Sequence, residues 1–284
     1  MVEADEYAGN FDPYVPSLIV LLNAEWDHPD VFADEAAVLS AFEAWIRRAP
    51  NATLVANGRD LGVHQIVSRL LETWPGKVFP ANEERLPRSW EVGPPGPANV
   101  DNAGCVYAVG LALDIPLDVI RESLAEYRGV GRRMELKGDV GGVVVLDDYG
   151  HHPTAIARTM EAARERYPGR RLWTVYEPLT FHRTAAMLDR FADVLAGADA
   201  VAIADIWAGR DTDKTVTSSS ALRDAVNLRG RAHAEATGSV EATADYLADE
   251  VTSGDVVLVM GGGRSYVIAQ RLVDALHGRA TQQP

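Results

Sequence analysis

Apolar and polar positions along the chain follow two periods. Short continuous apolar runs that end in a polar residue predict buried strands at 17–23 ("SLIVLLN"), 52–57 ("ATLVAN"), 143–146, 171–176, 199–204 and 255–260. Between them the period lengthens. In "DEAAVLSAFEAWIRRAP" the apolar residues Ala37, Leu39, Phe42, Trp45 and Ile46 recur at helical spacing, and Pro50 lies just past the end. Further helices are predicted around 64–74, at 99–115 and at 116–129, the last with Pro116 in its first turn. Four more follow at 153–167, 184–195, 240–251 and 264–276. The proline- and glycine-rich stretch 85–98 reads as a loop.

Composition shifts at "GVGRRMELKGDV" (129–140), where glycines and basic residues precede a cleaner alternation of strand and helix. The predicted class is α/β, with domains 1–128 and 129–284. The second is expected to be Rossmann-like: a mostly parallel sheet with helices on both faces. In such sheets ligands sit beyond the carboxyl ends of the strands. Four polar segments follow predicted strands: Asp147 to His152, "EPLTFHRT" (177–184), "DIWAGRD" (205–211) and "GGGRS" (261–265). They are expected to converge on one edge.

The length of 284 residues allows two cores, and 47% hydrophobic with 24% charged residues fits a globular protein. A formal charge of −14 argues against non-specific nucleic-acid binding, so an anionic substrate needs a local basic pocket. Cys105 is the single cysteine, which excludes an intramolecular disulfide and a cysteine metal cluster. Residues 1–10 do not read as a secretion leader, and no apolar run approaches the roughly 18 residues of a membrane span. A cytoplasmic protein without membrane insertion is expected.

Candidate chemistry sits in six places. "VEADEY" offers Glu3, Asp5 and Glu6, and "NAEWDH" offers Asn23, Asp27 and His28. Oxygen ligands with one imidazole suit Mg²⁺ beside phosphates; an acidic surface with a capping aspartate is the plainer reading. Asn99 and Asn102, three apart on one helical face, suit either a purine edge or a cap. Arg132 and Arg133 suit a phosphate or solvent. "GGGRS" suits an anion or a tight turn. In "DDYGHHPT", Asp148 and His151 precede a helix start at Pro153, and Gly150 lets the chain bend sharply between Tyr149 and His151. That arrangement suits an anion site or a polar loop. Asp147 and Asp148, adjacent at a strand end, are expected to point to opposite faces.

Taken in order, "VEADEY", "NAEWDHPDVF", "NVDNA", "GVGRRMEL", "VVVLDDYGHHPT", "EPLTFHRT", "ADIWAGRD" and "GDVVLVMGGG" resemble the Mur ligases, above all the members that join L-alanine to UDP-N-acetylmuramate. The resemblance spans nearly the whole chain. It implies part of the family's central ATP-binding domain followed by its C-terminal Rossmann-like domain. It also implies ATP and Mg²⁺ as cofactors, UDP-N-acetylmuramate and L-alanine as substrates, and an amide formed through an acyl phosphate. By resemblance Glu3 and His28 hold magnesium. Asn99 and Asn102 meet adenine. Asn23, Arg133, Asp148 and Tyr149 belong to the nucleotide side, and His28, Asp148, His151 and Arg183 carry catalysis, with His151 and Arg183 towards the muramyl substrate. The sequence also departs from the family. It contains no G-x-x-G-K-[ST] phosphate loop, and nothing in it corresponds to the domain that holds the UDP sugar. Ala98 replaces a histidine, Leu179-Thr180 stand where His-Arg or His-Thr is usual, and Arg264-Ser265-Tyr266 follow the last glycines. A separate front portion is therefore expected as a partner, and the chain alone is expected to be inactive. A ligase that recycles peptides onto UDP-N-acetylmuramate and a non-catalytic nucleotide- or partner-binding remnant are the alternatives.

Overall fold

The computed structural model describes residues 1–81, 86–93 and 96–280. Of the predicted 85–98 loop, Arg85, Pro94 and Pro95 lie outside the described residues. The chain packs as two units, Met1–Arg128 and Gly129–Pro284.

In the first unit three parallel strands, β1 (Leu18–Leu21), β2 (Thr53–Asn57) and β3 (Lys77–Ala81), pair in sequence order. Helix α1 (Glu35–Arg47) starts where the Asp34 carboxylate accepts the Ala37 N–H at 2.9 Å. Helix α2 is Leu61–Leu70, three residues earlier at its start than periodicity suggested. The reason is Asp60, whose Oδ1 accepts the N–H groups of Val63 (2.9 Å) and Ala24 (3.1 Å). One carboxylate thus caps the helix and fastens the segment after β1 to it. The side chains of α1 and α2 bury Ile19, Leu21, Leu54 and Ala56 on one sheet face. Helix α3 (Pro97–Ala112) covers Val55 and Ala81 on the other with Cys105 and Ala108. Helix α4 (Leu117–Glu126) packs on α3 through Ile120 and Leu124.

The second unit holds a six-stranded sheet in the order β4-β5-β9-β6-β7-β8. The strands are β4 (Glu135–Val140), β5 (Val143–Asp148), β6 (Arg171–Glu177), β7 (Ala200–Ala204), β8 (His233–Gly238) and β9 (Asp255–Gly261). All pairs are parallel except β4 with β5, joined by the left-handed glycines Gly141 and Gly142. The helices are α5 (Pro153–Arg166), α6 (Phe181–Ala186), α7 (Leu188–Leu195), α8 (Ser219–Leu228), α9 (Val240–Glu250) and α10 (Ser265–Ala280). Helices α9 and α10 bury Val143, Val145, Val175, Val257 and Val259 from one face. Leu146, Tyr176, Ile203 and Leu258, on the opposite face, are equally buried. Strands covered on both sides read as unbroken apolar runs, which is why they were legible.

Three expectations are corrected. Strand β5 runs two residues further, through both aspartates, because Asp147 and Asp148 pair in register with Val259 and Met260. The helix expected at 184–195 is two, α6 and α7, divided at Met187, which leaves helical geometry (φ −115°, ψ 20°). Strands β3, β4 and β8 and helix α8 were not foreseen. Among the described residues, no helix is long and apolar enough to cross a membrane.

Because the second unit seals both faces of its sheet with its own helices, we expect residues 129–284 to fold alone. A purified fragment should melt in one cooperative transition; a non-cooperative, dye-binding fragment would place the boundary elsewhere.

Candidate functional site

At the carboxyl ends of β5, β9 and β6 the polar segments do meet. The Tyr176 hydroxyl donates to the His151 carbonyl at 3.2 Å. The segments after β6 and β7 are laced by Trp207 N–H to the Pro178 carbonyl and Thr180 N–H to the Trp207 carbonyl, both 2.9 Å. The glycines after β9 fit beneath them. A Cβ at Gly263 would lie 2.7 Å from Trp207 Cγ and 2.9 Å from Glu177 Oε2. No larger residue fits that approach without displacing the indole or the carboxylate.

The centre of this edge is Arg132. Its Nε lies 3.2 Å from Asp147 Oδ2, and its Nη2 donates to the Gly261 carbonyl and to Ser265 Oγ, both 2.8 Å. The guanidinium also stacks over Tyr149 and Tyr266, at 5.1 and 5.4 Å from the ring centres. One side chain therefore joins the linker, β5, β9 and the start of α10. Arg132 and Met134 are both left-handed (φ 57° and 51°), and Arg133 between them is exposed. Its guanidinium lies 5.6 Å from the Tyr149 ring centre. Of the adjacent arginines, the sequence reading favoured Arg133 for phosphate and did not foresee the organising role of Arg132. The strand-end partner, Asp147, was the available signal.

Asp148 is buried and engaged. Its Oδ2 accepts the Met134 N–H at 2.9 Å, and its Oδ1 accepts the Gly150 N–H at 2.7 Å. Asp147 and Asp148 are thus committed to different partners, one to a guanidinium and one to backbone N–H groups. His151 Nδ1 lies 3.0 Å from the Tyr149 carbonyl oxygen, and the two rings meet edge-on at 5.3 Å. His152 caps α5 through Nδ1, 3.3 Å from the Thr154 N–H. Arg183 is buried in α6, where Thr180 Oγ1 accepts its N–H at 3.4 Å.

Burial pushes the carboxyls of Asp147, Asp148 and Glu177 above their ordinary range. Arg132 opposes this at Asp147, the Met134 and Gly150 N–H groups oppose it at Asp148, and the Ser265 and Arg264 N–H groups oppose it at Glu177. Glu177 thus lies beside the amides that begin α10, with its Oε2 buried and without a hydrogen-bond partner. The "GGGRS" turn thus runs directly against a carboxylate of this chain. The sequence reading did not single out Glu177, although a glutamate ending an apolar run was a usable signal.

In the first unit, His28 is left-handed (φ 57°) and lies against Tyr7, with ring centres 4.6 Å apart. Its Nε2 is 3.8 Å from Glu6 Oε1 and 3.9 Å from Asp27 Oδ2. Glu3 and Asn23 are exposed. Among the described residues, no group of three or more His, Cys, Asp or Glu side chains is placed to hold a metal. Mg²⁺ at a phosphate site takes about one or two protein carboxylates, the rest being water and phosphate, so the His28 cluster fits such a partial set. Asn99, half-buried, and Asn102, exposed, lie in the first turns of α3. Next to them the buried Asp101 lies 3.5 Å from Arg59. Burial, and then the Asp101 charge, push the Cys105 thiol up to about 11, so it stays protonated at neutral pH.

Two substitutions test this edge. Arg132→Ala leaves Asp147 buried without its cation and should cost about 3 kcal/mol at neutral pH. A carboxyl raised in the fold holds its proton more tightly there than in the unfolded chain. Its folded form is thus favoured below the ordinary carboxylate range and loses that advantage as pH rises. The Arg132→Ala deficit should accordingly shrink on acidification in denaturant melts; a deficit independent of pH would refute the pairing. Asp148→Asn turns one acceptor into a donor facing an N–H and should cost about 1–3 kcal/mol.

Residues 132–263 match the family described as Mur ligase, glutamate ligase domain. The UDP-N-acetylmuramate–L-alanine ligase of Roseiflexus sp. (strain RS-1) is 32% identical over 317 residues, covering 97% of this chain and 66% of that protein. That of Alkaliphilus metalliredigens is 36% identical over 298 residues, covering 96% and 64%. The chain thus spans 64–66% of the length of these curated relatives. The crystal structure of UDP-N-acetylmuramate-alanine ligase from Thermotoga maritima superposes with a TM-score of 0.69 at 21% identity, over 97% of this chain and 62% of that one. The MurF ligase of the same organism, solved with ADP, gives 0.67 at 18% identity, over 93% and 63%. These structures share the fold. With the sequence relatives and the domain match, they lead to one conclusion: the chain belongs to the Mur ligase family.

Proposed function

We propose that the chain is the nucleotide- and amino-acid-handling part of a ligase that joins L-alanine to UDP-N-acetylmuramate in peptidoglycan-precursor synthesis in the cytoplasm. The observation that carries this reading is the match to L-alanine ligases along 96–97% of the chain. ATP phosphorylates the substrate carboxylate, the alanine nitrogen attacks the carbonyl carbon, and phosphate leaves with the electrons of the broken C–O bond. Catalysis of this kind is mainly positioning and electrostatics.

The residues take the following roles in this reading. Asn99 and Asn102 meet the adenine, and Asn23 lies on the nucleotide side. Arg133 and Tyr149 take the nucleotide's phosphates or ribose. Asp148 holds both of them in place through the Met134 and Gly150 amides. His151 and Arg183 face the muramyl carboxylate and its acyl phosphate. Glu3 and His28 would hold Mg²⁺, which spreads the negative charge of the phosphoryl oxygens.

The phosphate loop is not in this sequence, so the purified 284-residue chain with ATP, Mg²⁺, L-alanine and UDP-N-acetylmuramate should give no product above blank. A chimera in which this chain replaces the matched part of the Roseiflexus ligase should form UDP-N-acetylmuramoyl-L-alanine by mass spectrometry. Preference for a tripeptide over L-alanine would make it a recycling ligase. ATP binding with neither product would make it a non-catalytic nucleotide binder. In the active chimera, His151→Ala should lower turnover about a hundredfold with an unchanged melting temperature. Unchanged kinetics would return "DDYGHH" to a polar loop.

A further inference from the structure

Beneath the start of α10, three neighbouring strands bring two acids to one cation. Asp147 of β5 pairs with Val259 of β9, which pairs with Val175 of β6. Glu177 lies two residues beyond Val175, opposite Gly261, so both carboxyls rise from the face that α9 and α10 cover. Asp147 is 0% and Glu177 2% exposed. Arg132 binds Asp147 directly, and its other two acceptors, the Gly261 carbonyl and Ser265 Oγ, belong to residues that flank Glu177. A Cβ at Gly261 would lie 3.0 Å from Glu177 Cβ and 3.2 Å from Ser265 Cβ. The neighbouring cations have acids of their own: Arg264 pairs with Glu241 at 2.9 Å, and Lys137 with Glu135 at 3.1 Å. The His151 imidazole lies on the far side of Gly262, and the segment after β7 presents the Trp207 indole.

We propose that Glu177 carries a proton at neutral pH and that this proton keeps Arg132 on Asp147. Were both acids ionised, the cluster would hold one buried negative charge without a cation, a state that a carboxyl avoids by keeping its proton. Each acid has one buried oxygen without a hydrogen-bond partner among the described residues, Asp147 Oδ1 and Glu177 Oε2. Asp147 also accepts an N–H of the guanidinium, which favours its charged form, whereas Arg132 acts on Glu177 through its charge alone. Burial of Glu177 outweighs that charge and the nearby Ser265 and Arg264 amides. Loss of the proton would set a second carboxylate in competition for Arg132, and the linker that carries Arg133 follows Arg132. Glu177 is thus a positioning residue whose hold weakens as pH rises. The inference needs no amide formation and stands apart from the ligase reading.

The test uses the 284-residue chain with its glutamate side-chain carboxyls labelled for NMR. One carboxyl signal, lost in Glu177→Gln, should titrate above the range of a free glutamate, and the Arg132 Nε–H signal should shift with the same midpoint. A carboxyl raised in the fold favours the folded chain at low pH and loses that advantage as pH rises through its titration. The denaturant midpoint should therefore fall across that interval in the wild type and fall by less in Glu177→Gln, which mimics the neutral acid. The paired titration of the two wild-type signals decides the matter even where the variant fails to fold. A Glu177 carboxyl in the ordinary range, an Arg132 signal that ignores it, or an equal fall in the variant would each overturn the proposal. So would a raised signal found only when aspartates are labelled instead, because the proton would then sit on an aspartate.

Discussion

The carboxyl edge of the second unit depends on where one guanidinium goes. A parallel sheet delivers all its strand ends to one side, but it does nothing to tie the following loops together. Arg132 supplies the tie between the linker, β5 and β9, with Asp147, Gly261 and Ser265 as its acceptors. A buried pair of this kind adds little net stability over an apolar substitute, because both charges lose water. Its consequence is specificity of place. With Arg132 turned inward and Met134 bonded to Asp148, the intervening Arg133 is left at the surface beside Tyr149. Two left-handed residues within three positions oppose this path by about 1–2 kcal/mol each, and the hydrogen bonds of the edge hold it.

The legible part of the fold is the part buried on two faces. Strands such as Val143–Leu146 and Val256–Met260 could be read because every residue is inside and the run is apolar throughout. Strands β4 and β8 could not. "ELKGDV" and "HAEATG" lie at the sheet's two edges, pair on one side only, and carry polar residues where a central strand would not. Helix α8 follows a long polar stretch whose only start signal is Ser218, the first of three consecutive serines. The end of β5 was misplaced for a different reason. Asp147 and Asp148 look like the exit from a strand, yet both are drawn into the ladder because each has a partner waiting.

The same reasoning explains which site residues the sequence could name. Asp148, His151 and Arg183 stood out because a cluster of polar groups at a strand end is unusual in itself. Glu177 and the role of Arg132 did not: Arg132 has a partner nearby in Asp147, but its contacts to Gly261 and Ser265, like those of Glu177 to the start of α10, lie about 85–130 residues away and meet only through the strand order β5-β9-β6. Sequence patterns carry local periodicity well. They carry the partner of a buried charge only when that partner is also local, as with Asp60 and the start of α2.

Glu177 then bears on how the edge handles charge. Of the helices that begin among these loops, the two long ones, α5 and α10, each offer unpaired amides and a positive end. At α10 the Glu177 carboxyl, pushed above its ordinary range by burial, lies beside that start. At α5 the cap is an imidazole, and no acidic residue lies in the first turn. The two starts are therefore electrostatically unequal. An anion approaching α10 meets Glu177, whereas one approaching α5 meets His151 and His152, with the buried Asp148 carboxylate engaged by the Gly150 N–H behind them.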